Sequence, residues 1–364
     1  MIPPIHDREH EARTSSPHSN VSTQPIGPVR TAFEVAISIA QETPRAKTLR
    51  ASIAAWIFPP RNVPAERTVA LWYLGIPGAT YRGLSYFDRQ VSGFAPEEFS
   101  IARYMAKQGI GLVVIDTLGT GESKAEADGE LITRHVTAEA NAQVLYELRK
   151  RLTTGTLVAG LDAVAEDALF LGGFGHSMGA FQLTQLAALL ENRGAPLDAA
   201  IFAGWSHGQW DYERIGMDPA AALAEMAETN GYYAGGRHLM RMFFYGPQPS
   251  VPRELIEVDE QDATTFPKGL LLEGLTPGIV AQEAGALRCP ILHVLAAHDL
   301  GTSAQSEGHI YTSSRLFTAY TQPQAAHCNF ESSRHQYWRT IAAWTRMVGA
   351  LRYPFHPPPS EGVS

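Results

Sequence analysis

Ser177 lies in the pentapeptide Gly175-His176-Ser177-Met178-Gly179, behind the apolar run "ALFLGGF" and ahead of a leucine-bearing segment. Small residues on both sides permit a sharp strand-to-helix turn that exposes a hydroxyl. The N–H of the next residue then points the same way from a helix N-terminus. An attacking oxygen beside a donor for developing negative charge is what acyl transfer requires. Two other readings compete. A dinucleotide fingerprint starting at Gly173 needs glycine at position 178, where Met178 stands. A merely structural serine is the second, because the pentapeptide also arises by chance. The flanking strand and helix favour the nucleophile.

A hydroxyl attacks well only when a base takes its proton and an acid orients that base. In chain order the partners should follow as acid, then histidine, each after a strand. Asp299 closes the apolar run "CPILHVLAAHD", and His327 lies in "QPQAAHCNFESS", between the last expected strand and the last helix. The chain holds 13 histidines, so position decides among them. His6, His10, His18 and His356 lie in the tails, His335 on the final helix, His293 inside a strand and His176 in the turn itself. His207 follows a strand and could line a pocket, although a structural role is the simpler reading. Asp211 is the rival acid, but Asp299 has the better strand-end position. A second oxyanion donor is expected from the Ile76 N–H in Gly75-Ile76-Pro77-Gly78, joining that of Met178. An ordinary Pro-Gly turn remains the alternative there.

The elements that must hold these residues alternate in type. "TAFEVAISIA" and "LRASIAAWIF" read as two strands joined by a turn at Glu42–Pro44, and "TVALWYLG" as a third. A helix with Phe99, Ala102 and Ala106 on one face stops at Gly109. "GLVVID" is apolar enough for a strand buried on both faces. A helix bearing Val144, Leu148 and Leu152 comes next, and after the Ser177 turn another bearing Leu183, Leu186 and Leu190. "LDAAIFAGW", "CPILHVLAAHD" and "SRLFTAYTQ" are further strands, and "YWRTIAAWTRMV" is a closing helix. Strand–helix alternation implies α/β architecture with a mostly parallel sheet and an antiparallel edge. The stretch from about His207 to Leu287 breaks the rhythm and reads as an insertion over the sheet.

Composition sets outer limits. With 364 residues, 45% hydrophobic and 18% charged, the chain is long enough for a large core. A net charge of −8 argues against a nucleic-acid surface. Two cysteines, Cys289 and Cys328, are too few for a disulfide framework or a Cys-rich zinc site and suit a reducing compartment. Cys328, beside His327, reads as small apolar packing. The N-terminal stretch lacks the apolar core of a secretory signal, and no window approaches a membrane span. A cytoplasmic location is expected.

On "LGIPG" at Leu74–Gly78, "VVIDTLGTGES" at Val113–Ser123, "GHSMG" at Gly175–Gly179, Asp299 and His327, the chain resembles the α/β-hydrolase fold family from about Thr31 to Leu351. The resemblance implies a mostly parallel central sheet flanked by helices, with a helical cap after the sixth core strand. It implies a Ser177–His327–Asp299 triad, with Asp116 and Ser123 shaping a turn and taking no part in chemistry. Leu74-Gly75 stands where the family often has His-Gly. The expected division is a tail at 1–28, a core at 29–206 and 287–353, a cap or lid at 207–286 and a second tail at 354–364. The expected activity is hydrolysis of a carboxylic ester or lactone. A C–C bond hydrolase, an acyltransferase, a perhydrolase-like haloperoxidase or a triad-retaining receptor could use the same residues. Dehalogenases and epoxide hydrolases of this fold need an aspartate where Ser177 stands. Trp205, Trp210, Tyr233, Arg237 and His238 are the candidate substrate contacts, the aromatics for an apolar or ring-bearing acyl group and the last two for a polar substituent. No metal or organic cofactor is expected. The expected partner is a small-molecule ester or lactone, without nucleic acid or membrane, and a homodimer is compatible with the sequence.

Overall fold

Val29–Ile39 (β1) alternates buried and exposed side chains from Phe33 onward, the pattern of a strand with one wet face. It pairs antiparallel with Lys47–Phe58 (β2). Ala70–Ile76 (β3), Ile110–Ile115 (β4) and Leu169–His176 (β5) are buried almost throughout, and Ala200–Ala203 (β6) completely. Such runs have no alternation because helices cover both faces. After an intervening segment come Ala227–Thr229 (β7), Tyr232–Ala234 (β8) and Phe266–Pro267 (β9), then Ile291–His298 (β10) and Phe317–Ala326 (β11). The computed structural model describes residues 27–39, 47–64, 67–208, 210–216, 218–247, 250–301 and 303–351. The turn expected at Glu42–Pro44, residues 1–26 and the tail 354–364 lie outside the described residues.

The main sheet has eight strands in the order β1-β2-β4-β3-β5-β6-β10-β11. Beyond the antiparallel β1–β2 and β2–β4 pairs, every ladder is parallel. The helices are Gly83–Phe87 (α1), Ile101–Lys107 (α2), Arg134–Thr153 (α3), Met178–Asn192 (α4), Pro219–Glu225 (α5), Arg241–Tyr245 (α6), Arg253–Gln261 (α7), Lys268–Gly274 (α8), Ala281–Ala286 (α9) and Arg334–Ala350 (α10). One layer contains α2 and α10, packed on each other and on β3, β4 and β11; the other contains α3, α4 and α9. Gly172 lets the Tyr73 ring close on β5, since an added Cβ would lie 2.5 Å from it. The sequence-based expectation of a mostly parallel sheet, flanked by helices and edged by an antiparallel pair, is borne out. No described helix is long and apolar enough to cross a membrane.

The segment between β6 and β10 carries α5 to α9. It also carries a three-stranded antiparallel sheet, β7-β8-β9, that the sequence reading did not anticipate. A buried ionic cluster fastens this segment to the sheet domain. Asp259 on α7 accepts from Arg89 (2.5 Å), from the hydroxyls of Tyr81 (2.7 Å) and Tyr245 (2.6 Å), and pairs with Arg237 at 3.1 Å. Arg237 also donates to the Thr80 carbonyl at 2.6 Å and lies over the Tyr81 ring at 3.7 Å. Two guanidinium groups around one wholly buried carboxylate satisfy its charge where water does not reach.

Candidate active site

The turn at Ser177 is built by strain and by missing side chains. Ser177 has φ +54°, a region that costs a non-glycine residue energy. Its N–H is held by the Ala203 carbonyl at 2.8 Å, and α4 begins at the next residue. A Cβ at Gly179 would collide with the Ile76 carbonyl, and one at Gly175 with the first turn of α4. A Cβ at Gly78 would stand 3.0 Å from the Ser177 Cβ. Strand β3 thus passes directly beneath the turn, with Ile76 paired to Gly175.

Three sequence-distant side chains meet here. His327 Nε2 lies 2.7 Å from Ser177 Oγ, and His327 Nδ1 lies 2.7 Å from Asp299 Oδ1. An ionised carboxylate only accepts, so Nδ1 carries the proton and Nε2 offers its lone pair to the serine hydroxyl. Asp299 is fully buried and follows the end of β10. Burial alone would raise its pKa. Contact with His327 and the N–H groups of Ala296 (3.1 Å) and Leu300 (2.8 Å) outweigh that and hold the carboxyl below its ordinary value. Arg214 donates to the Asp299 carbonyl and, at 2.8 Å, to that of Gly301, bracing the loop. The rival Asp211 is exposed; its Oδ1 accepts the Arg214 N–H.

The His327 imidazole is enclosed from both sides. Phe243 stacks on it, with centroids 4.0 Å apart, and the Phe243 and Phe244 carbonyls accept the N–H groups of His327 and Cys328. His176, which the sequence places in the turn itself, is wholly buried; its Nε2 donates to the His327 carbonyl at 2.8 Å and its ring stacks on Tyr86. Burial, and then the neighbouring His327, push its pKa down to about 3, so it stays neutral. Cys328 is buried with its Sγ 3.1 Å from the Tyr81 hydroxyl, and burial pushes the thiol well up. Asp116 Oδ2 accepts the Glu122 N–H and Ser123 Oγ donates to the Asp116 carbonyl within the turn, while Asp116 Oδ1 accepts the Gly83 N–H at the start of α1.

Ser177 and Met178 open onto a cavity walled by Trp205, Trp210, Leu223, Phe243, Phe244 and Leu275, among others. None of the lining residues is charged. The Thr80 hydroxyl is taken by Arg237, the Tyr81 hydroxyl by Asp259, and the Trp210 indole N–H by the Ser206 carbonyl. Ile76 is fully buried beneath the turn, while Ala79, Thr80 and Tyr81 form the wall beside it.

Three expected substrate contacts lie elsewhere. Tyr233 is buried in β8 opposite Glu228 and Phe266, away from the lining. Arg237 turns into the Asp259 cluster, because a buried guanidinium is satisfied only by paired acceptors. His238, its neighbour, is exposed. Leu223, on α5, and Met226 and Leu275, just past the ends of α5 and α8, escaped the sequence reading, since apolar residues on or beside short helices carry no signal beyond packing.

No protein-family model matches the sequence, and no curated protein matches it. Solved structures do. A thermophilic esterase from Thermogutta terrifontis superposes with a TM-score of 0.50 at 15% identity, covering 87% of this chain and 99% of that one. The peroxisomal alpha-beta-hydrolase Lpx1 of Saccharomyces cerevisiae gives 0.55 at 12%, covering 93% and 92%. A proline iminopeptidase of Mycobacterium smegmatis gives 0.52 at 13%, covering 88% and 100%. Identity this low speaks to architecture and leaves the substrate open. Sheet order, helix layers and these likenesses agree: the chain has the α/β-hydrolase fold.

Proposed function

We propose that the protein is a serine hydrolase that cleaves carboxylic esters, lactones included, through an acyl-enzyme. One observation carries the reading: the hydrogen-bonded run Asp299–His327–Ser177 ends at a cavity free of charged side chains. In this reading Ser177 Oγ attacks the carbonyl carbon while its proton passes to His327 Nε2, and Asp299 stabilises the imidazolium. The oxyanion is held by the Met178 N–H, at the start of α4, and by that of Ile76. His327 then protonates the departing alcohol. Water, deprotonated by the same imidazole, releases the acid and restores Ser177. No metal or organic cofactor enters any step.

Residues 207–286 act as a cap over this centre, with Phe243 shielding the imidazole and Trp205 and Trp210 at the cap's root lining the acyl site. Such walls suit an uncharged, apolar or ring-bearing acyl group, because a charge placed there would lose its hydration without gaining a partner. The test compares wild type with Ser177→Ala in fluorophosphonate labelling and in turnover of p-nitrophenyl hexanoate and of the charged p-nitrophenyl succinate. Labelling and turnover confined to wild type, with the hexanoate preferred, are expected. Absence of labelling, or equal turnover by the variant, overturns the assignment.

A further inference from the structure

A second group of side chains lies under the sheet end, outside the Ser177 centre. His207 follows β6, His293 is on β10, and Glu307 lies in the short 3-10 turn Gln305–His309. All three are buried, and one potential ligand atom from each lies within 4.8 Å of the others.

The hydrogen bonds of this group hold its outer atoms and leave one inner atom, His293 Nδ1, without a partner among the described residues. His293 Nε2 is 2.8 Å from the Trp205 carbonyl, which can only accept, so Nε2 carries the ring proton and Nδ1 a lone pair. That Nδ1 is buried and has no partner among the described residues. His207 Nε2 is 3.1 Å from Thr184 Oγ1, whose own proton goes to the Ala180 carbonyl at 2.9 Å. Nε2 is therefore again the donor and Nδ1 the lone pair. Glu307 Oε1 accepts from Ser206 Oγ at 2.6 Å. Glu307 Oε2, which also accepts the His207 N–H, lies 3.4 Å from His207 Nδ1. Two imidazole lone pairs and a carboxylate oxygen thus converge, with each outer atom fixed by a hydroxyl or carbonyl. Metal-binding histidines and carboxylates are held in this way by their surroundings.

We propose that His207 Nδ1, His293 Nδ1 and Glu307 Oε2 bind a zinc ion that braces the fold and takes no part in chemistry at Ser177. Zinc holds such atoms at about 2.0–2.2 Å, so tetrahedral neighbours stand roughly 3.3 Å apart. The His207–Glu307 edge already has that length, and the other two edges are no longer than 4.8 Å. The Tyr311 hydroxyl, 3.1 Å from His207 Nδ1, donates to that lone pair and must turn away when the ion binds. Nitrogen donors favour zinc over calcium or magnesium. The ligands are in the protonation states that metal binding needs. His293 and Glu307 lie on either side of Asp299 in the chain, so the ion ties β10 to the 3-10 turn that follows the acid.

The experiment uses the full chain without a polyhistidine tag. Metal content is measured by mass spectrometry, and chelator-stripped protein is titrated with zinc against a chromophoric chelator. Wild type should hold about one zinc per chain, and His293→Asn and Glu307→Gln should each weaken binding by more than about tenfold. The combined His6→Ala, His10→Ala and His18→Ala variant should bind like wild type. Zinc retained by His293→Asn, or lost with the amino-terminal histidines, overturns the proposal. Should both site variants fail to fold, wild type decides alone. A rise in Tm with zinc and the visible bands of tetrahedral cobalt support the site, and absence of both rejects it.

Discussion

Ser177 and Thr184, one at the head of α4 and one within it, each present a hydroxyl to an imidazole backed by a carboxylate. At the first, Ser177 Oγ, His327 and Asp299 are linked by bonds of 2.7 and 2.7 Å. At the second, Thr184 Oγ1 lies 3.1 Å from His207 Nε2, and His207 Nδ1 stands 3.4 Å from Glu307 Oε2 with no proton between them. Residue types and order are nearly the same, yet only the first is equipped for chemistry. Ser177 sits in strained backbone beside a cavity, with the N–H groups of a helix start at hand. Thr184 is wholly buried in regular helix and donates its proton to Ala180. A hydroxyl–imidazole–carboxylate series becomes a nucleophile only through access, an uncommitted proton and donors for the product charge.

The largest test of that contrast is Ser177→Ala, which should lower kcat by on the order of 10⁴–10⁶ while leaving Tm close to wild type. Asp299→Asn should follow, at roughly 10⁴ in kcat, because an amide no longer fixes the working tautomer. Its counterpart Glu307→Gln should instead act on folding, by about 1–3 kcal/mol in denaturant titration, with fluorophosphonate still labelling the folded fraction. Equal kinetic damage from both would break the distinction. Thr184→Val strands the His207 donor and should remove about 1–3 kcal/mol of stability, again without abolishing labelling.

The smallest effect concerns a carboxyl beside the first series. Burial, aided by nearby Asp299, pushes Glu331 up to about 8 against the bonds from backbone N–H groups. The folded state then holds this proton more tightly than the unfolded chain, where glutamate titrates near ~4.3. Its contribution is complete at low pH and fades as pH rises through about 8. Glu331→Gln should therefore gain Tm over wild type as pH rises from about 5 to about 9. A gap independent of pH would mean that Glu331 is ionised throughout.

The sheet was readable in the sequence because β4 and β5 are short, unbroken apolar runs next to clear helix stripes. Ser177, Asp299 and His327 were nominated because each stands where a strand gives out. The segment between β6 and β10 offered less. Its strands of two or three residues exist only through pairing with distant partners, which no local period encodes. Arg237 looked available beside Gly235-Gly236, but its acceptors are Asp259 and Thr80, remote in the chain. His207, His293 and Glu307 form no motif, since three separate elements supply them.

The crowding beneath Ser177 has a consequence for how such a molecule can diverge. Positions 175 and 179 leave no room for even a methyl group and position 78 very little, so exchange at the first two displaces the backbone that holds Ser177. Leu223, Met226 and Leu275 face open space on or beside short helices and can be swapped for larger or smaller neighbours with little disturbance to the turn. On the hydrolase reading proposed above, selectivity can therefore drift through a lineage, or through a laboratory library, while the turn that carries Ser177 stays frozen.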